Sequence, residues 1–123
     1  MGGTDPALFQ YVPSARYDSW LTVGLTDGDP QQKLSSVGQN WDLWRVDRGV
    51  WNSNCAVFWM DPRASTATRS RGAVTVAQLT LPTAFSGNVT VGFAGKTASG
   101  GTWREDNVVF MLPSNGTLAA ATP

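Results

Sequence analysis

Short apolar runs alternate with clusters of turn residues along the whole chain, the pattern of an all-β domain rather than a helical one. The run Gly72–Pro82, GAVTVAQLTLP, sets Val74, Thr75, Val76, Leu79, Thr80 and Leu81 between a glycine and a proline. Neither alternate set is uniformly polar, which predicts a central strand buried on both faces. Gln78 is the exception, because a buried amide must find hydrogen-bond partners or cost roughly 1–3 kcal/mol. Apolar runs at Ser19–Leu25, Cys55–Met60, Val89–Ala94 and Asn107–Leu112 predict its neighbours. Leu21, Val23 and Leu25 fall on one face, as do Val89, Val91 and Phe93, whereas Cys55–Met60 is apolar on both. Turn signals at Thr26–Pro30, Asn52–Asn54, Asp61–Pro62 and Ser86–Asn88 separate the runs. The expected fold is all-β, a two-layer antiparallel β-sandwich of Ig-like or jelly-roll-like type.

The ends read differently from the middle. Residues 1–13 predict an N-terminal arm or edge strand, since Ala7, Leu8, Phe9, Gln10, Tyr11 and Val12 lie between two prolines after a glycine-rich start. Residues 14–112 form the expected sandwich domain. Residues 113–123, PSNGTLAAATP, have the composition of a tail or linker. Between the strands, Arg63–Arg71 and Lys96–Thr102 are expected as loops, the second mobile because it is rich in Gly and Ser. Trp41–Trp51 fits neither a helical nor a strand period cleanly and predicts either a helical turn or a strand.

Composition narrows the setting. With 123 residues the chain is expected to be one domain, and surface scaling puts burial at about two-thirds of the unfolded surface. Nine basic and nine acidic residues give no bulk charge for nucleic acid or anionic membrane, and the local pair Arg69 and Arg71 is expected as a solvated loop. No run is long and apolar enough for a transmembrane helix, and MGGTDP lacks the basic and apolar regions of a signal peptide. The single Cys55 excludes an internal disulfide and, within CAVFWM, is expected to pack as a small hydrophobe. Low charge and two N-x-T sequons, at Asn88 and Asn115, point to an extracellular, glycosylated protein.

Candidate chemistry is sparse. The absence of histidine removes Ser-His-Asp and Cys-His catalysis and His-ligated zinc. The close carboxylate pairs, Glu105–Asp106 and Asp27/Asp29, sit in turn-like contexts and are expected to serve turns rather than glycoside hydrolysis. Asp27-Gly28-Asp29 is the candidate calcium site, which Asp5, Asp18, Asp61 or Asp106 would have to complete through the fold. Six tryptophans are the strongest compositional signal. Trp20 and Trp59 lie inside strand patterns and are expected in the core. Trp41, Trp44, Trp51 and Trp103 border loops and are the candidate aromatics for stacking on sugars or anchoring a protein interface.

The segments Asp5-Pro6, Leu8-Phe9, YDSWLTVG at 17–24, AVFW at 56–59 and VAQLTL at 76–81 resemble secreted β-sandwich domains of uncharacterised function from algae and aquatic microbes. The shared features are a YDSW-type opening and a V-x-x-A-Q-L-T strand, across roughly residues 5–112. The resemblance implies extracellular or cell-surface placement, often as a module of longer proteins, and transfers no activity or binding residue. The expectation is a non-enzymatic extracellular structural protein of a surface fibre, appendage or matrix. Its copies would join head-to-tail through strand edges or the arm Ala7–Val12. The alternative is a carbohydrate-binding module, with glycans as partners.

Overall fold

The structure is a computed structural model that describes residues 1–45, 47–65 and 72–112. Arg69, Arg71, Asn115 and the tail 113–123 lie outside the described residues. Among the described residues six strands account for most of the regular structure: β1 (Trp20–Leu21), β2 (Leu34–Val37), β3 (Ala56–Trp59), β4 (Ala77–Gln78), β5 (Gly87–Lys96) and β6 (Thr102–Leu112). Four short 3₁₀ turns complete it, at Pro6–Gln10, Pro13–Tyr17, Trp41–Leu43 and Pro62–Ala64. All-β is therefore the class. The strands form three two-stranded antiparallel sheets, β1–β4, β2–β3 and β5–β6. The chain divides into two compact units, Met1–Arg69 with Val74–Leu79, and Ser70–Ala73 with Thr80–Pro123.

In the first unit the apolar pattern is interrupted by side chains that bond their own backbone. Strand β1 is short because the Thr22 hydroxyl donates to the Leu25 carbonyl and accepts from the Leu25 N–H, folding the chain back. The ladder to the second segment nevertheless continues past the strand ends, with Thr22 N–H on Val76 O and Gly24 N–H on Thr75 O. The run Gly72–Pro82 is thus no central strand. The strand proper is Ala77 and Gln78, opposite Leu21 and Trp20, while Ala73, Thr75, Thr80 and Leu81 are exposed. Gln78 does find the partners its amide requires: Nε2 donates to the carbonyls of Arg16 at 2.9 Å and Asp18 at 2.8 Å.

Strands β2 and β3 hold the best-buried part of this unit. Leu34 opposes Trp59 in register, and both are buried. Trp59 is fixed further by Nε1 donating to Val23 O at 2.7 Å. The expected two-faced burial of Cys55–Met60 does not occur: Val57 and Trp59 turn inward, while Cys55, Ala56, Phe58 and Met60 are exposed. Cys55 accordingly packs in no core.

The N-terminal segment corrects the expectation of an edge strand. Pro6–Gln10 is a 3₁₀ turn, started by Asp5 Oδ1 accepting from Ala7 N–H at 2.8 Å and by Pro6 at the first helical position. A second turn follows at Pro13–Tyr17, and the Arg16 guanidinium lies 5.6 Å over the Phe9 ring. The glycine start is held too, with Gly2 N–H on Leu21 O and Gly28 N–H on Gly2 O.

The second unit is dominated by the hairpin β5–β6, with strands of 10 and 11 residues. The expected loop Lys96–Thr102 is a tight turn, Thr97–Gly101, between strands that take in Lys96 and Thr102. Gly100 N–H bonds Thr97 O at 2.9 Å, Gly100 has φ 89°, and Thr97 N–H bonds Gly101 O at 2.7 Å. That is a three-residue connection with a glycine in the left-handed position, whose twist suits antiparallel strands. Between Val91 and Phe93 the register shifts, so that Asp106 and Asn107 together oppose Gly92. Asn107 takes the bulge's left-handed conformation, φ 58°.

Core formation is slight in both units. Among the described residues the buried apolar side chains are Ala15, Leu34, Trp59 and Leu112, and no side chain is completely enclosed.

Candidate functional site

The bulge decides what the hairpin presents. On the side of the bulge away from the turn, Val108, Phe110 and Leu112 share a side with Val91, Val89 and Gly87. A regular strand would carry Arg104 and Thr102 on that same side. The extra residue reverses the alternation, so Trp103 and Glu105 join it, opposite Gly95 and Phe93. One side of the hairpin therefore carries Val89, Val91, Phe93, Trp103, Val108, Phe110 and Leu112. Phe93 and Phe110 meet edge to face at 6.2 Å. The other side, with Asn88, Thr90, Gly92, Ala94, Lys96 and Arg104, is exposed.

Trp103 lies across Gly95. A Cβ at position 95 would stand 2.9 Å from the indole nitrogen, so the indole takes this position because the facing residue has no side chain. The open surface at this end of the hairpin is bordered by Ala94, Gly95, Lys96, Thr102, Trp103 and Arg104. Arg104 Nε is held by both carboxylate oxygens of Asp106 at 2.8 Å. That contact ties Asp106 to a cation beside it in the strand.

The remaining candidate aromatics sit in the first unit. Trp41 and Trp44 are half-buried, their rings 6.1 Å apart and tilted by 45°, so they form no flat platform. Trp41 Nε1 donates to Ser36 Oγ at 2.8 Å. Trp51 is 91% exposed. Its neighbour Asn52 is fastened to the end of β2, Nδ2 reaching Gly38 O at 2.7 Å, while Asn52 Oδ1 accepts from Asn54 N–H. Trp59 occupies the core as expected, and Trp20 is half-buried.

Asp29 serves the backbone, while Asp27 bonds a neighbouring side chain. Asp29 accepts Lys33 N–H on Oδ1 at 2.8 Å and Leu34 N–H on Oδ2 at 2.7 Å, which fixes the entry to β2. Asp27 Oδ1 accepts from the Thr26 hydroxyl. Among the described residues no three His, Cys, Asp or Glu side chains gather as a metal site. Of the arm residues, Leu8, Tyr11 and Val12 are exposed, Tyr11 by 77%, and Phe9 is half-buried beneath Arg16. Asn88 is exposed near the start of β5.

No family model, curated protein or solved structure matches the chain.

Reading the residues one run at a time missed the hairpin. The signal was present as Thr97–Gly101, TASGG, between two β-rich runs, where a glycine in the third loop position favours a bulged hairpin turn.

Proposed function

We propose that the chain is a non-enzymatic extracellular structural protein, a subunit of a surface fibre, appendage or matrix that assembles with copies of itself through strand edges. The observation that carries this reading is the long hairpin β5–β6, which remains two-stranded among the described residues and half-exposed on its apolar side. A two-stranded hairpin alone is marginal in water, and three or more strands with an apolar face are needed for independent stability. Exposed Leu8, Tyr11, Val12, Val37, Met60 and Met111 supply further apolar surface for contacts between copies. In this reading the two-layer sandwich belongs to the assembled state, where added strands widen each sheet. Secretion is supported by the low charge, by the sequon at exposed Asn88 and by the resemblance to secreted algal and microbial domains.

Electron microscopy of native material, with light scattering on the same sample, tests the reading. Regular filaments or sheets are expected. A uniform monomer near 13.2 kDa at all concentrations removes it. In that event the second reading, carbohydrate binding, stands on Trp51, whose near-complete exposure on an anchored turn suits stacking. A polysaccharide panel with Trp51→Ala then decides it.

A further inference from the structure

The two outer edges of the β5–β6 hairpin differ in kind. The closing bond from Thr97 N–H to Gly101 O fixes the alternation of the ladder, because hydrogen-bonded and non-bonded pairs succeed one another. Odd-numbered residues of β5 point their amides at β6. Asn88, Thr90, Gly92, Ala94 and Lys96 point theirs away, and among the described residues no backbone partner meets them.

Edge strands are normally protected by charge, proline or a bulge. Strand β6 has the first and third: Arg104, Glu105 and Asp106 lie together, and the bulge at Asn107 breaks the ladder. Strand β5, GNVTVGFAGK, has no proline and no charge before its last residue, and is β-branched or aromatic at alternate positions. A long, uncharged, unbroken edge is a template for pairing.

We infer that β5 is the docking edge for a second copy of this chain, pairing antiparallel with β5 of that copy about a two-fold axis perpendicular to the sheet. This rests on the self-assembly reading and names its interface. Three properties favour this occupant. The edge is self-complementary, since an uncharged strand meets no like charge when it faces itself. The operation keeps the apolar sides of both hairpins facing the same way, because residues directly opposite in an antiparallel pair share a side. It also yields the four-stranded sheet β6–β5–β5–β6, which passes the strand number that the lone hairpin falls short of. With Val91 on the axis, Val89 lies opposite the second copy's Phe93. Thr90 then exchanges bonds with the second copy's Gly92, and Asn88 with its Ala94.

The test uses the full chain from a host that does not N-glycosylate, so that changes at Thr90 leave no glycan difference. Thr90→Pro removes an outward amide and leaves the bonds to β6 intact. Self-association is expected to weaken by roughly a hundredfold, read by light scattering and sedimentation across concentration. Val109→Pro alters an outward amide of β6 and is expected to leave association unchanged. With Cys55→Ser as background, Val91→Cys is expected to form a reducible covalent dimer, since non-bonded antiparallel pairs bring Cα atoms to about 4.5 Å. That cross-link decides the question even if Thr90→Pro proves unfolded by circular dichroism. Assembly that persists in folded Thr90→Pro, dissociation in Val109→Pro, or an assembled Val91→Cys variant without cross-link each overturns the β5 edge and leaves self-assembly standing. A wild-type chain that is monomeric throughout overturns both.

Discussion

The pair β2–β3 and the pair β5–β6 are built from the same kinds of residue, yet they bury very different fractions of them. The first has strands of four residues each, and its facing pair Leu34 and Trp59 is 5% and 7% exposed. The second has strands more than twice as long, and among their residues only Leu112 is buried. Length and β-propensity are therefore poor guides to burial here. What separates the two is anchoring. Trp59 is tied to Val23 O in a distant segment and Leu34 N–H to Asp29 in the preceding turn, so a long-range and a local bond both fix one short sheet. The hairpin closes on itself through the turn bond from Thr97 N–H to Gly101 O.

The largest expected effect breaks that anchor. Trp59→Ala removes a buried indole and leaves Val23 O without its donor, and should cost about 3–5 kcal/mol. Trp103→Ala removes an indole that is 45% exposed and should cost about 1 kcal/mol or less in the dissociated chain. Denaturant unfolding of both variants, followed by near-ultraviolet circular dichroism, gives the two numbers. Equal losses would mean that the hairpin is anchored as firmly as β2–β3, and the contrast would fall.

A middle-sized effect concerns the bulge. Asn107 holds φ 58°, where a β-branched residue is strained by roughly 1–2 kcal/mol. Asn107→Val should destabilise the hairpin by that amount, or straighten it and return Trp103 to the polar side. Asn107→Gly should be neutral or slightly stabilising. Amide exchange at Val108 and Phe110, together with the exposure of the Trp103 indole by fluorescence quenching, reads both outcomes. Unchanged exchange and quenching in Asn107→Val would show that the register shift does not depend on this residue.

These positions also show what could be read from residues alone. At Val89, Val91 and Phe93 period-two alternation matches the side that turns inward, whereas at Val57 and Trp59 the strand was legible but its inward side was not. The need of Gln78 for partners was legible from chemistry, though not that they would be the carbonyls of Arg16 and Asp18. Gly72–Pro82 misled because β-branched residues describe a suitable surface and not its neighbours. Ala7–Val12 misled for a different reason: Asp5 and Pro6 make a helical N-terminus, and that local capping outweighs the alternation that follows. Of the candidate aromatics, exposure at Trp51 and Trp103 followed from their loop-bordering positions. That β5 and β6 differ as edges came only from comparing them, which requires the alternation that the Thr97–Gly101 bond fixes.

The smallest expected effect lies where β3 ends. Asp61 starts the turn Pro62–Ala64, its Oδ1 accepting the Arg63 N–H at 3.0 Å and the Arg63 Nε at 3.1 Å. The Arg63 side-chain hydrogen bond, helped by the backbone bond, holds the Asp61 carboxyl below its ordinary range. A carboxyl whose value is lower folded than unfolded stabilises the fold above the unfolded value, and that contribution disappears as pH falls through the folded one. The increment should be small, because both side chains are largely in water and screened. Asp61→Asn keeps an acceptor for the Arg63 N–H, so it should leave the thermal midpoint near neutral pH almost unchanged. It should also flatten a slight acid-side loss that the wild type shows, and high salt should erase the difference. A large drop at neutral pH would instead make this turn, rather than the Trp59 contact, the anchor that distinguishes β2–β3 from the hairpin.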